Sequence, residues 1–306
     1  MHQGLAVTTV LMVRDEFPLI LDTIGHHLRN LRVDRLIVAD NGSTDGTREV
    51  LGAMADADAR VRVVDRPGGY RQAEIMSELY EMAVDEGADW VLPADADEFL
   101  WLHGVDLPTA VADAGDAAAI HIGVTNMVQR RDVLREAPGS IGTMTRSAIP
   151  VGSPAEARRL VTDGVIPFVR MQYHPKIMLR ARAGVRLRQG QHAADNLDGP
   201  IVHTNLAEIL HVPIRSYRDL WSRVAHAQRL DDHPERSWHL RRMREFTTAD
   251  LAREWWRNSF VRGVPSRAWR PDGRLREIAE SLAPYRAEVL DVVGTPVALR
   301  RMQPSP

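Results

Sequence analysis

The sequence of 306 residues contains no cysteine. This absence excludes disulfide bonds, iron–sulfur clusters, zinc–thiolate sites and catalysis by a cysteine nucleophile. Lysine is almost absent as well, because Lys176 is the only one among the 39 basic residues. Any metal site in this chain must therefore be built from carboxylate groups and imidazoles.

Long apolar runs and a large net charge are also missing. No segment approaches the roughly eighteen apolar residues that a membrane span needs, and no basic start of a signal peptide is visible. The formal net charge of −2 argues against bulk binding of nucleic acid. The hydrophobic share of 44% and the charged share of 26% are typical of a globular protein with a sizeable core. We therefore expect a cytoplasmic protein that does not bind nucleic acid.

Strand and helix patterns alternate through the first 125 residues. β-Branched and apolar runs predict strands, and apolar residues at helical spacing predict the helices between them. The predicted strands are 6–12, 35–39, 61–64, 90–92 and 119–124; the helices begin at Pro18, at a cap on Ser43 or Thr44, and at Gln72. Such alternation predicts a mostly parallel sheet covered on both faces, with ligands bound beyond the carboxyl ends of the strands.

Polar clusters follow three of these strands, at residues 14–16, 40–47 and 95–98. Asp95 and Asp97 are two residues apart, so in extended geometry both side chains point to the same side. Such a pair suits Mn²⁺ or Mg²⁺ with open positions for phosphate oxygens. A plain surface turn is the alternative, but the apolar runs on either side favour a metal or cationic partner.

The motifs at these positions resemble those of family 2 glycosyltransferases. The resemblance is strong in residues 7–16, in VADNGSTDGT at 38–47 and in DWVLPADADEF at 89–99. It continues weakly through short elements at 175–177, 190–192 and 211–216. Many relatives have Asn-Glu where this chain has Asp15-Glu16, which is a modest departure.

The resemblance implies a glycosyltransferase-A fold of the α/β class, with a mostly parallel central sheet and helices on both faces. It further implies a nucleotide-sugar donor, a divalent metal and inversion at the anomeric carbon. The implied metal ligands are Asp95 and Asp97, with His211 or His192 as a third, although a lone histidine is more often structural. The implied nucleotide contacts are Val13, Arg14, Asp40, Asn41 and Arg71, of which Asp40–Asn41 also fit a turn and helix cap, and Arg71 also fits a solvated helix start.

Three carboxylates are candidates for the general base, namely Glu98, Asp195 and Asp163, and Glu98 is alternatively a ligand for sugar hydroxyls. Lys176 either contacts phosphate or lies at the surface. Residues 129–164 are rich in Pro and Gly and are expected to form a long loop that is either mobile or covers the acceptor site. We expect a catalytic core over 1–212 and an Arg/Trp-rich helical region over 213–306. That region includes Trp238. Its Trp side chains either pack in the core, or the region forms a peripheral contact with the inner face of the membrane, an acceptor site or a homodimer face.

The leading functional hypothesis is an inverting, metal-dependent glycosyltransferase. Its donor would be a UDP-sugar or, next, a GDP-sugar, and its acceptor a hydroxyl of a surface glycan or natural product. One alternative is a sugar-1-phosphate nucleotidyltransferase, against which the missing Gly-rich basic loop after the first strand argues. Another is a non-catalytic nucleotide- or carbohydrate-binding protein with the same fold, against which the intact Asp95 and Asp97 argue.

Overall fold

A computed structural model describes residues 4–133, 137, 139–148, 152–229, 242–261 and 269–294. The chain divides into two compact units, each built from separate stretches of sequence. The first unit contains the described residues of 1–124, 174–209 and 281–306, and the second those of 125–173 and 210–280. The predicted boundary at residue 212 stays a prediction.

The first unit is built on a central sheet. The strands of this unit are β1 Val7–Val13, β2 Arg35–Asp40, β3 Val61–Asp65, β4 Trp90–Ala94, β5 Glu98–Leu102, β6 Ala119–Arg130 (continuing into the second unit), β8 Lys176–Arg180 and β11 Ile201–His211 (whose last two residues belong to the second unit). A separate hairpin consists of β9 Arg186–Leu187 and β10 Ala194–Asp195. Strands β4, β1, β2 and β3 run parallel in that order. Beside β4 lies β8, which runs antiparallel to it, and β6 pairs antiparallel with β8. The predicted mixed α/β fold with a mostly parallel core is confirmed.

Helices cover both faces of this sheet, because neighbouring residues of each strand point to opposite sides. Leu11 of β1 packs among α1 and α2, whereas Val10 packs under α3. The helices of this unit are α1 Leu19–Gly25, which continues as a π-helical turn His26–Asn30, α2 Thr47–Ala57, α3 Gln72–Asp85, α4 Leu107–Ala112 and, near the end of the chain, α9 Ala283–Val293.

The second unit contains short strands and amphipathic helices. Its strands are the end of β6, β7 Thr145–Ser147, β12 Ser259–Phe260 and β13 Trp269–Arg270; its helices are α5 Pro154–Thr162, α6 Tyr217–Arg229, α7 Thr248–Arg257 and α8 Arg274–Ser281, whose last residue belongs to the first unit. Its core joins α5, α6 and α7 through side chains such as Val161, Leu220 and Trp255. Within the described ranges, every helix is too short or too polar to cross a bilayer.

Two local predictions were wrong. Helix α2 begins at Thr47 with Gly46 as its N-cap, and neither Ser43 nor Thr44 caps it. The stretch 129–164 is not one open loop, because its described residues include β7 and α5, and the cap of α5 is Ser153. Trp255 is buried as expected for core packing, Trp256 is 64% exposed, and Trp238 lies outside the described residues.

Candidate active site

The carboxyl ends of three parallel strands bring the predicted polar residues to one edge of the sheet. In the strand register, Val13 of β1 lies opposite Asp40 of β2, and Asp40 lies opposite Asp65 of β3. On the other side of β1, Leu11 lies opposite Ala94, the residue before Asp95. The chain segments 14–16, 40–47 and 95–98 therefore leave the sheet side by side, as predicted for an α/β ligand site.

The segments after β1 and β2 hold each other through hydrogen bonds. The Asp15 carboxylate accepts from the Thr44 amide at 2.6 Å, and the Asp15 amide donates to Ser43 Oγ at 3.0 Å. The Asp45 carboxylate accepts from Thr47 and also from the Phe17 amide at 2.9 Å. Burial raises the pKa of Asp45 despite these bonds. The sequence motif Ser-Thr-Asp-Gly-Thr thus serves to join two loops.

Asp40 and Asn41 are both buried at the end of β2, at 4% and 1% exposure. The Asp40 carboxylate accepts from the amides of Gly42 and Ser43 at 3.1 Å each, which closes a tight turn in which Gly42 has φ +81°. Asn41 Nδ2 donates to the Arg66 carbonyl at 2.6 Å. These contacts fit the turn interpretation of Asp40–Asn41 and leave a nucleoside contact as a prediction.

The turn after β4 is surrounded by polar contacts centred on Asp95. One carboxylate oxygen of Asp95 accepts from Lys176 Nζ at 2.6 Å, and the other accepts from Gln72 Nε2 at 3.0 Å. Gln72, at the start of α3, accepts in turn from the Gly190 amide at 3.2 Å. The Asp95 side chain is 28% exposed, so its carboxylate reaches solvent while it is hydrogen-bonded to Lys176 and Gln72.

Lys176, the first residue of β8, is the buried cation of this cluster. Its ammonium group lies 3.0 Å from Glu98 Oε1 and 2.9 Å from Gln191 Oε1, in addition to Asp95. Burial by itself would lower the pKa of Lys176, but the charges of Asp95 and Glu98 outweigh it and raise the pKa above its usual value. The site therefore contains a permanent positive charge that is 4% exposed to solvent.

His192 and Tyr70 lie at the margin of the same cluster. His192 Nδ1 donates to the Pro175 carbonyl at 3.1 Å. Burial, and then the charge of Lys176, lower the pKa of His192 to about 4, so the imidazole is neutral with Nε2 unprotonated. Tyr70 is 37% exposed, but the protein around it removes part of its solvent; this desolvation, and then the charges of Asp95 and Asp97, raise the pKa of Tyr70 and keep its phenol protonated.

Residues 8–137, which contain all three strand-end segments, match the model of the family described as Glycosyl transferase family 2. This part of the chain therefore resembles family 2 glycosyltransferases. The resemblance read from the strand-end motifs is thereby confirmed. The succinoglycan biosynthesis protein ExoA of Rhizobium meliloti (strain 1021) is 37% identical over 62 residues, which are 20% of this chain and 18% of ExoA. The match thus spans less than a fifth of that curated relative.

Solved glycosyltransferase structures also resemble the chain. Residues 1–349 of TarS from S. aureus align at 13% identity with a TM-score of 0.40, over 98% of this chain and 92% of that one. The mannosyltransferase PcManGT from Pyrobaculum calidifontis, in complex with GDP-Man and Mn²⁺, aligns at 16% identity with a TM-score of 0.39, over 98% and 76%.

Three further predicted residues of the first unit, Arg14, Arg71 and Asp195, have ion-pair partners outside the cluster around Asp95. Arg14 lies 3.9 Å from Asp15, and Arg71 lies 2.7 Å from Glu74; both arginines are exposed. Asp195 is exposed in the hairpin and forms an ion pair with Arg188.

Two predicted residues belong to the second unit. Asp163 follows α5 and lies 3.2 Å from Arg159. His211 is buried, with Nδ1 2.7 Å from Asn126 Oδ1 and its ring centroid 5.0 Å from that of Tyr173. The proposed roles of both residues stay predictions.

Few side chains in the described part of the chain could serve together as metal ligands. No group of three or more histidine, aspartate or glutamate side chains there is arranged to hold a metal ion. Asp95 and Asp97 remain as the pair at the sheet edge, and Mg²⁺ commonly takes only one or two carboxylates plus substrate phosphates. Gln72, Gln191 and Tyr70 were not predicted, since their residue types carry no signal without the fold that brings them to the cluster of Asp95 and Lys176.

Proposed function

We propose that this glycosyltransferase is an inverting, metal-dependent enzyme. It would transfer a sugar from a nucleoside-diphosphate sugar, UDP-linked before GDP-linked, to an acceptor hydroxyl of a surface glycan or natural product. The observation that carries the proposal is the acidic turn Asp95–Glu98 at the carboxyl edge of a parallel sheet, within the matched family domain. A cytoplasmic location, a peripheral membrane contact and a homodimer stay predictions.

Asp95 and Asp97 would hold Mn²⁺ or Mg²⁺. The pair fits a hard divalent cation, because Asp95 is oriented by Gln72 and Lys176 and its carboxylate still reaches solvent. When bound, the ion would neutralise negative charge on the diphosphate leaving group. Of the two predicted histidines, His192 lies in this unit, is neutral and has its Nδ1–H fixed by a backbone carbonyl, as in many metal-binding histidines. Among the described residues it does not form a three-ligand group with Asp95 and Asp97, so it would have to approach the ion on binding.

Lys176 would supply a second positive charge at the same place. Its ammonium group is preorganised by Asp95, Glu98 and Gln191, so no side-chain ordering is needed when negative charge develops nearby. Val13, Arg14, Asp40, Asn41 and Arg71 stay the proposed nucleotide contacts. Val13 and Asp40 end β1 and β2, Arg14 and Asn41 follow them, and Arg71 precedes α3.

Three carboxylates are candidates for the general base, and their contacts in the structure differ. The Arg188 hydrogen bond lowers the pKa of Asp195, which makes it a weak base. Asp163 belongs to the second unit and is exposed. Glu98 is buried beside Lys176, within the acidic turn itself. We therefore propose Glu98 as the first carboxylate to test, either as base or as ligand for sugar hydroxyls.

A thermal-shift screen tests the proposal directly. UDP, GDP and dTDP, each with and without Mn²⁺, are expected to raise the unfolding temperature only in the presence of the metal, most strongly for UDP. Asp97→Asn is expected to abolish this stabilisation while leaving the unfolding temperature of the free protein unchanged. Asp198→Asn is the matched control, because that side chain is 97% exposed in the same unit. Stabilisation by no nucleotide, or equal stabilisation of Asp97→Asn, would refute the proposal, and pyrophosphate release from a nucleoside triphosphate would favour a nucleotidyltransferase.

A further inference from the structure

Two side chains donate hydrogen bonds to the backbone of the acidic turn and of the strand that follows it; one belongs to α1 and the other to the π-helical turn after α1. Thr23 Oγ1 donates a hydrogen bond to the Ala96 carbonyl at 2.6 Å. One helical turn later, His26 Nε2 donates to the Leu100 carbonyl at 2.8 Å, and the His26 ring packs 5.5 Å from the ring of Phe99. The two accepting carbonyls bracket the segment 97–99, so both ends of this segment are held by α1 and the π-helical turn that follows it.

Both donors are fixed by their own surroundings. Thr23 is fully buried, and its hydroxyl has the Leu19 carbonyl at 3.2 Å as a longer alternative acceptor. His26 Nδ1 accepts from Asn30 Nδ2 at 3.2 Å, which assigns the ring proton to Nε2, and Asn30 Nδ2 also donates to Ser281 Oγ at 3.1 Å. Because His26 is 2% exposed, burial lowers its pKa to about 4 and keeps the ring neutral. No solvent is needed to satisfy these donors.

The Glu98 amide donates to the Asp95 carbonyl at 3.1 Å, which closes the turn. Side chains tie its ends to α3 and β8, since Asp95 bonds Gln72 and Lys176 and Glu98 pairs with Lys176. Thr23 and His26 add direct bonds to the backbone carbonyls on either side of residues 97–99. We propose that Thr23 and His26 are positioning residues that set where Asp97 and Glu98 stand. The inference rests on the proposed function, since it assigns those carboxylates to donor and metal binding. A displacement of about 1 Å in a reacting group can cost about 100-fold in rate.

Replacement of the Thr23 hydroxyl by a methyl group tests this inference. Thr23→Val is expected to lower donor turnover and the Mn²⁺-dependent affinity for UDP by about tenfold or more, and Thr23→Ser is expected to restore both to within about threefold. Thr9→Val is the matched control. It removes another buried hydroxyl of the same unit, whose partner is His27 Nδ1 at 3.1 Å and not the acidic turn. This control is expected to keep wild-type turnover and UDP affinity.

Hydrogen exchange gives a second readout that does not depend on activity. Amides 97–100 are expected to exchange about tenfold faster in Thr23→Val than in the wild-type protein or Thr9→Val, with unchanged exchange in β1 and β2. Should Thr23→Val not fold, Thr23→Ala takes its place, because it removes the hydroxyl without adding a methyl group. Wild-type affinity, turnover and exchange in the folded variant would overturn the inference. A wild-type protein that binds no nucleotide with Mn²⁺ would instead overturn the proposed function, and the exchange result would then still decide whether Thr23 holds the turn.

Discussion

Replacement of Lys176 by methionine would remove the cation that holds two carboxylates at the base of the site. The ammonium group lies 2.6 Å from Asp95 and 3.0 Å from Glu98, and the side chains of Lys176 and Glu98 are 5% and 6% exposed. Methionine fills a similar volume but leaves the carboxylate of Glu98 buried without its cation. Loss of one member of a buried ion pair costs about 3–5 kcal/mol, so we expect Lys176→Met to lose that much free energy of unfolding.

Urea unfolding followed by circular dichroism measures this loss, provided that the m-values of variant and wild type agree. The double variant Lys176→Met/Glu98→Gln is expected to be more stable than Lys176→Met alone, because the amide carries no charge. Arg188→Met is the control, since it breaks an ion pair whose side chains are 64% and 48% exposed and is expected to leave stability unchanged. A loss of less than about 1 kcal/mol in Lys176→Met would refute the reasoning, as would a further loss in the double variant.

Two other predictions concern the support of the sheet. Burial lowers the pKa of His26 to about 4. Burial and then the charge of His26 lower the pKa of His27 to about 3. In the unfolded chain both imidazoles become protonated near pH 6.5. The free energy of unfolding should therefore be highest above pH 6.5 and fall below it by up to about 1.4 kcal/mol per pH unit for each histidine. Urea midpoints between pH 7.5 and 4.5 should show this slope, and an equally steep slope in His27→Gln would contradict it. Gly25→Ala would place a Cβ 2.6 Å from the Tyr285 ring and should lower the free energy of unfolding by about 1–3 kcal/mol, measured as a lower thermal midpoint. Gly69→Ala is the control and should be neutral, because its Cβ would meet nothing within 4 Å.

Much of the first unit was predictable because its signals are local. The strands β1 to β4 are apolar runs, and their observed bounds differ from the predicted ones by at most two residues. Helical spacing puts Ile75, Leu79 and Met82 on one face of α3; the first two are 1% and 0% exposed, and Met82 is partly buried. The start of α2 was misplaced because Ser43 and Thr44 are good caps in isolation. In the folded chain their polar groups bond to Asp15 instead, 28 and 29 residues away.

The surroundings of the acidic turn could be predicted only in part. Asp95 and Asp97 stand out in the sequence because charge interrupts two apolar runs, and their place at the sheet edge follows from the strand order. Gln72 and Lys176 reach Asp95 from 23 and 81 residues away. Nothing in the local pattern of a glutamine at a helix start predicts such a contact, since it depends on how α3 and β8 pack on the sheet.

The single lysine has a practical consequence for the chemistry of this chain. Lys176 is 4% exposed and paired with two carboxylates, so the folded protein offers no lysine amine to a reagent in solution. Acylating reagents and amine-directed cross-linkers should react with Lys176 only after the cluster around Asp95 opens. The extent of its modification thus reports on the opening of the proposed catalytic edge, without any label introduced by mutation.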